Sequence, residues 1–448
     1  MVKNIVVFGM AHSGKSTCIG YMYNRTREKD PNYNFEDYIA RLKEELEEYD
    51  DSRDYGYLVD EFIEERKRTK ASSGQSKKIH LKPIEIGGTE IIVIDTPGSE
   101  HKTIQRQKGM YYGEIGVFCI EAKQLTSEDF FIKKRLFSAF MATMMLWSKF
   151  NRRTIIALTK MDQCDYREDV YNRAREMIKQ LCEMVNVAAI IPISVDVKGR
   201  KAHNVCVKSP EMPWYKGNSL EDELTFEIAR AENKQNNTPL LFYVDRSYVR
   251  SQQYTGQSWR VKILQGELSV GQEIKMSPVR VNGEVQTIRA KIKSIRSDLE
   301  RAQKEPVYVS FAPAGSFVGI DLCEIRLGNR KIHKEDLKTL NTSCGFSYDM
   351  NYKIADQFKF RTNFVNVQKA NLGRQMDVLW FGRAITFQVC RREVVMNGVE
   401  IVGKLENRWI TMPMTNDGQF LIRDLIIRYD NNPNVDPFLE AELMDIFN

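Results

Sequence analysis

The segment Gly9-Met10-Ala11-His12-Ser13-Gly14-Lys15-Ser16-Thr17 fits the spacing G-x-x-x-x-G-K-[ST]. It follows the apolar run Asn4-Ile5-Val6-Val7-Phe8, which predicts a buried strand. It precedes Cys18-Ile19-Gly20-Tyr21-Met22, which predicts the start of a helix. Strand, glycine-turned loop and helix in that order are the context a phosphate-binding loop needs. Gly9 and Gly14 let the backbone curl until its N–H groups point inward. The N–H groups from Gly9 through Ala11, His12, Ser13, Gly14 and Lys15 to Ser16 and Thr17 are then candidates to hold phosphate oxygens, helped by the partial positive charge of a helix N-terminus. Lys15 is placed to reach the β- and γ-phosphates, and the Ser16 hydroxyl to ligate Mg²⁺.

Three later strand ends decide which nucleotide such a loop would hold. Ile91-Ile92-Val93-Ile94 runs into Asp95-Thr96-Pro97-Gly98. A carboxylate there can hold Mg²⁺ through water, and Gly98 can offer its N–H to a γ-phosphate. Thr154-Ile155-Ile156-Ala157-Leu158 runs into Thr159-Lys160-Met161-Asp162. An aspartate at that place can accept from both N1–H and the 2-amino group of guanine. Adenine has neither donor, so Asp162 selects GTP and GDP over their adenine counterparts, and the aliphatic stem of Lys160 can cover the base. Val187-Ala188-Ala189-Ile190-Ile191-Pro192-Ile193 ends at Ser194-Val195, whose N–H groups can meet the guanine carbonyl. Each tetrapeptide alone is common; four in this order, each at a strand end, form one constellation.

A chain of 448 residues predicts roughly two to four domains. The most apolar helical stretch, Leu136 to Trp147, falls short of the about 20 residues a bilayer span takes. Met1-Val2-Lys3 leads directly into the first strand, with no signal-peptide pattern. Eight scattered cysteines without a C-x-x-C pair predict reduced, buried thiols, and with them a cytoplasmic protein with no membrane partner. The net charge of +6 is compatible with a nucleic-acid partner without demanding one.

Residues 1–237 alternate strand and helix, predicting an α/β domain with a doubly wound, mostly parallel sheet. Between the phosphate loop and Asp95 lies a long insertion. Phe35, Ile39, Leu42 and Leu46 have helical spacing, and Glu44 to Asp54 reads as a solvated face and loop. The basic stretch Arg66 to Lys78 occupies the place of a nucleotide-sensing loop. Asn233 to Thr238 reads as a linker. Beyond it the period changes to two. Ile288, Ala290 and Ile292 share one strand face, while Arg289, Lys291 and Lys293 share the other, a wet face or a phosphate-facing stripe. Residues 238–348 and 349–431 therefore predict two small β-barrels, and 432–448 an acidic C-terminal tail, loose or a short helix.

These motifs resemble the elongation factor Tu / elongation factor one-alpha class of translational GTPases, over nearly the whole chain. Met212-Pro213-Trp214-Tyr215-Lys216-Gly217 with Ser219-Leu220 is similar to a segment of elongation factor one-alpha and of the GTPase subunit of sulfate adenylyltransferase. Gly266 to Gly271 and Ala314 to Gly319 are similar to the family's barrel turns, and Gly418 to Asp424 to its closing strand. The resemblance implies a GTPase domain followed by two barrels, GTP/GDP and Mg²⁺ as ligands, catalytic roles for Lys15 and Gly98, and tRNA, the ribosome or a protein as partner.

The departures carry information of their own. The family places a water-positioning histidine directly after its D-x-P-G motif; here that position is Ser99, with His101 two residues on. His101 is a candidate replacement or a plain surface histidine; loss of the family residue implies slow hydrolysis or a group supplied in trans. In the phosphate loop, His12 stands where the family has aspartate and Met10 where it has histidine. The family's first switch contributes a threonine to Mg²⁺. Counting back from Asp95 puts Ser76 there, and counting forward from Glu64-Glu65-Arg66 puts Ala71 there; the need for a hydroxyl favours Ser76. Thr159 replaces the asparagine that opens the guanine motif. Three functions compete: a translation-type GTPase, a GTPase subunit coupled to an adenylyltransferase (the Asp95 to Glu100 run with Thr103 leans that way), and a regulatory paralogue acting through protein partners.

Overall fold

The core of the N-terminal part of the chain is a six-stranded sheet, assembled because its strands are apolar on both faces and must be covered on both. In the computed structural model, the described residues are 4–60, 79–98, 103–127, 144, 147–148, 152–183, 185–231, 239–249, 257–281, 284–297, 307–332, 344–362, 371–380, 383–405, 410–414, 424–428 and 438–447. The strands are β1 (Asn4–Gly9), β2 (His80–Ile86), β3 (Thr89–Asp95), β4 (Ile115–Glu121), β5 (Thr154–Thr159) and β6 (Val187–Pro192), in the spatial order β2-β3-β1-β4-β5-β6. All neighbours pair in parallel except β2, which forms an antiparallel hairpin with β3 at the edge. The expected doubly wound sheet is therefore present with one antiparallel edge strand, β2, whose residues alternate between buried and half-buried positions. All four chemistry-bearing motifs leave the same, C-terminal edge of the sheet.

Helix α1 (Lys15–Arg27) starts directly at the phosphate loop, and Cys18, Ile19 and Met22 pack on the sheet with Ile5, Val7 and Val93. The insertion folds as α2 (Phe35–Glu45) and α3 (Asp54–Val59), joined by a single 3₁₀ turn at Asp51–Arg53. The Asn34 side chain caps α2 by accepting from the Glu36 and Asp37 N–H groups. Phe35, Ile39, Leu42 and Leu46 are buried as their spacing predicts, against Tyr55, Tyr57 and Leu58 of α3. The expectation of a solvated Glu44–Asp54 holds except at Leu46 and Asp54, which are buried, Asp54 in an ion pair with Arg200. Of the apolar stretch Leu136 to Trp147, the described Met144 and Trp147 are fully buried. The Trp147 indole donates to Thr154 Oγ1 at 2.5 Å, so these two side chains face the core.

The strands from residue 241 onward group separately, in a compact unit formed by Lys234–Tyr429 with Phe438–Asn448; Lys3–Asn233 belongs to the other unit. An eight-stranded antiparallel sheet spans residues 241–347, and an additional pairing between Glu284–Ser297 and Phe317–Leu327 closes six of its strands into a ring. Its interior holds Ile288, Ala290 and Ile292, as alternation requires. Arg289 and Lys293 are exposed on the other face, where Arg289 reaches the Tyr348 hydroxyl at 3.1 Å. A closed six-stranded barrel follows, with strands between Gln357 and Phe447.

That barrel corrects the expectation for the C-terminus. Phe438–Phe447 is a strand, pairing with Gln357–Thr362 on one side and Asp424–Arg428 on the other. Without it the barrel would have two open edges. Glu442 and Asp445 are exposed on this strand, which is why composition alone reads as a solvated tail. None of the eight cysteines is in a disulfide, as expected, but only Cys18, Cys119, Cys182 and Cys344 are buried, and Cys390 is exposed. Among the described residues no helix is long and apolar enough to cross a membrane.

Candidate functional site

The loop after β1 takes the conformation that its residues foretell, and one they do not. Gly9 has φ 146° and Gly14 φ 82°. A Cβ on Gly9 would lie 2.2 Å from the Cys119 carbonyl oxygen of the neighbouring strand, so neither conformation nor space admits a side chain there. His12 also adopts a left-handed φ of 61°, a position non-glycine residues rarely take. The turn closes with Ser13 N–H donating to Met10 O at 3.4 Å.

Lys15 is buried, and its ammonium donates to the Met10 carbonyl at 2.7 Å, bridging the loop it belongs to. Burial pushes its pKa below the ordinary lysine value, with Asp95 opposing that shift. A lysine held this way gains from any anion that enters the loop, because phosphate oxygens would replace solvation already lost. Ser16 donates its hydroxyl to Asp95 Oδ2 at 2.8 Å. A hydroxyl and a carboxylate side by side at the mouth of a phosphate loop are hard oxygen donors, the set that suits Mg²⁺ completed by water and phosphate. The pair therefore fits the ion the sequence implies.

Asp95, Thr96, Pro97 and Gly98 leave β3 toward this loop. Thr96 Oγ1 bonds back to Val7 O at 3.0 Å. Gly98 sits so close that a Cβ would lie 2.7 Å from Ala11 N, Met10 O and Lys15 Nζ alike. Arg106, from α4 (Thr103–Tyr112), is buried and donates to the carbonyls of Pro97 and Gly98, at 3.2 and 3.0 Å. It fixes the turn that aims Gly98, and nothing in its sequence position announces that.

The base-recognition motif closes on the same loop. Thr159 Oγ1 lies 2.9 Å from Ser13 O and 3.1 Å from Ile120 O, so the threonine ties the end of β5 to the phosphate loop. Lys160 adopts φ 58°, and its ammonium pairs with Glu121 Oε2 at 2.9 Å, which stretches the aliphatic stem across the end of β4. The Ser194 hydroxyl donates to Asp162 Oδ1, holding the carboxylate in place. The backbone joins these segments as well: Met161 N–H donates to Ile193 O at 3.3 Å, and Ile193 N–H to Leu158 O at 2.8 Å.

A cavity of about 700 Å³ connects the two halves. Ala11 to Thr17 and Gly98 line one end of it, and Thr159, Lys160, Asp162, Ser194 and Val195 the other. Asp95 stands behind Ser16. Two expected residues, Ser76 and His101, lie outside the described residues, as does Ser99. The sequence reading missed other walls: Asp50, Ser52 and Arg53 from the insertion, Tyr166, and the Asp196-Val197-Lys198 turn. Their presence follows from how the insertion docks. Arg200, just past that turn, pairs with Asp54 at 2.7 Å and Glu36 at 3.2 Å, and its guanidinium lies 4.7 Å from the Phe35 ring. No short motif encodes contacts made across that much chain.

Comparison with known proteins agrees with this geometry. Many solved structures share the fold, three of which follow, all at low identity. The GTPase-like domain of Ski7 from S. cerevisiae, bound to GTP, is 13% identical with a TM-score of 0.72, over 99% of this chain and 97% of that one. Translation elongation factor SelB from Methanococcus maripaludis, in complex with the GTP analogue GppNHp, is 14% identical with a TM-score of 0.63, over 100% of this chain and 80% of that one. Bacterial selenocysteine-specific elongation factor EF-Sec is 15% identical with a TM-score of 0.60, over 99% of this chain and 58% of that one. The family model described as the elongation factor Tu GTP binding domain matches residues 1–310, so this chain belongs to the elongation factor Tu GTP-binding domain family.

Proposed function

We propose that the chain is a Mg²⁺-dependent GTP-binding switch of the translational GTPase type, which hydrolyses GTP to GDP and phosphate slowly on its own. The observation that carries this reading is that one cavity brings Lys15 and Ser16 together with Asp162 and Ser194. Asp162 accepts from guanine and Lys160 covers the base; the N–H groups of Ser194 and Val195 approach its carbonyl. The Ala11–Thr17 backbone cradles the phosphates, and Lys15 neutralises charge on the β- and γ-oxygens. Ser16, Asp95 and a hydroxyl of the first switch, Ser76, would hold Mg²⁺, which would supply neutralisation of the phosphate charge. Gly98 donates its N–H to the γ-phosphate, so loss of that group frees the Asp95–Gly98 turn.

Hydrolysis needs a group that orients water. Ser99 occupies the place of the family's histidine and cannot carry the same polarised N–H, so His101 or a partner must serve. That substitution also favours a second reading, a regulatory relative in which GTP binding matters more than turnover. The domains we assign are 1–237 for the switch, 238–348 and 349–431 for the barrels, with residues 438–447 completing the second of these. The effector is tRNA, the ribosome or a protein. The test is affinity for fluorescent GDP against ADP, followed by single-turnover GTP hydrolysis with and without ribosomes and tRNA. Guanine preference with slow unstimulated hydrolysis is expected. Equal affinity for ADP overturns the reading, and fast unstimulated turnover that survives His101→Ala overturns both slow hydrolysis and the role of His101.

A further inference from the structure

We propose that Arg53, from the insertion rather than from any nucleotide-binding motif, is a phosphate-binding residue that grips the part of the nucleotide common to GDP and GTP. The proposal rests on the guanine-nucleotide reading of the cavity.

Its position is fixed by close backbone packing. Gly20 of α1 has no room for a side chain: a Cβ there would lie 1.8 Å from the Tyr55 carbonyl oxygen. The start of α3 is thus pressed onto α1 about five residues, or roughly 7.5 Å of rise, beyond Lys15. Arg53 precedes Tyr55 by two residues and lines the cavity with Ser16, Thr17 and Cys18 of the first turn of α1. Gly98, the residue expected to sense the γ-phosphate, sits instead on Ala11 and Lys15. Arg53 therefore approaches from the helix side of the loop, where the phosphates present in both nucleotides would lie.

The side chain is held but not used up. Its Nη2 donates to Asp60 Oδ2 at 2.8 Å, and its guanidinium lies 5.0 Å from the centre of the Tyr57 ring. Nη1 is buried and makes no hydrogen bond. A buried guanidinium N–H without an acceptor is costly, and a phosphate oxygen entering the cavity would satisfy it. The fork of arginine can keep Asp60 on one nitrogen and take an anion on another, which lysine cannot do.

The experiment measures release of fluorescent GDP and of a fluorescent non-hydrolysable GTP analogue from the full chain by stopped flow. It compares wild type, Arg53→Ala, Arg53→Lys and Asp60→Asn. Arg53→Ala should speed release of both nucleotides by a similar factor, about tenfold or more, with Arg53→Lys intermediate. Asp60→Asn removes the ion pair but keeps the guanidinium, so it should change release far less. Unchanged release from Arg53→Ala overturns the proposal, as does an effect confined to the GTP analogue or one matched in full by Asp60→Asn. Failure of wild type to retain either nucleotide would instead overturn the reading of the cavity, so the two failures are distinct.

Discussion

Ser16 and Asp95 stand 79 positions apart in the chain and 2.8 Å apart in space, hydroxyl to carboxylate, at the mouth of the phosphate loop. The parallel pairing of β1 with β3 puts Asp95 in register with Val7, and the loop that follows β1 returns Ser16, in the first turn of α1, to the same place. If the pair holds Mg²⁺, Ser16→Ala should abolish the slowing of nucleotide release by Mg²⁺. A tenfold or greater change is expected, equivalent to about 1.4 kcal/mol. Release followed with Mg²⁺ and with EDTA checks this; a variant that still responds to the ion like wild type refutes the assignment.

Asp162 faces the base end of the cavity with Ser194 bonded to it. Asp162→Asn replaces one acceptor with a donor and leaves the guanine 2-amino group facing an N–H₂. Two charge-assisted hydrogen bonds at about 1.5–3 kcal/mol each predict a loss of at least about 100-fold in GDP affinity. Xanthine nucleotides, which carry a carbonyl at the 2-position, should gain. Competition against a fluorescent nucleotide reads both effects, and an unchanged ranking of bases would place the base elsewhere.

The residues whose chemistry is local were readable in the sequence. Lys15, Asp95, Asp162 and Ser194 each belong to a short motif that closes or directly follows a sheet strand, and parallel pairing collects those strand ends on one edge. Arg53, Arg106 and Arg200 were not readable, because each owes its place to a contact between elements with no fixed spacing. The last strand was hidden for another reason. Residues opposite Lys359 and Phe360 are Asp445 and Leu443, so Met444 is an extra residue and the period-two pattern slips within Phe438–Phe447. A slipped alternation among acidic residues looks like a solvated tail until the barrel edges around it are seen.

Arg200 joins the turn after the Ser194 loop to both helices of the insertion. Truncation in Arg200→Ala leaves Asp54 buried beside aromatic rings without its cation. Breaking a buried pair costs about 3–5 kcal/mol, and the partial exposure of Arg200 lowers that to roughly 2 kcal/mol. Arg200→Lys should recover only part, since it loses the bidentate and stacked geometry. Urea unfolding of the nucleotide-free protein, followed for the transition of residues 3–233, measures it. A midpoint equal to wild type would mean the contact contributes nothing.

In the C-terminal barrel, Glu400 accepts from Lys359 and, at 2.7 Å, from Arg361 on the adjoining strand, while Glu393 lies opposite it on the other side. The hydrogen bonds from Lys359 and then Arg361 hold its carboxyl below the ordinary value of 4.5. The folded state therefore binds this proton less readily than the unfolded chain. The stabilisation is fully present above the unfolded value and is lost as pH falls through the lower, folded one. Glu400→Gln should melt earlier than wild type at pH 7, and the gap should shrink as the pH drops below about 4 and close in stronger acid. Melting curves of both proteins from pH 7 to pH 3 test this. A gap that stays constant over that range would show that Glu400 acts through packing, not through its charge.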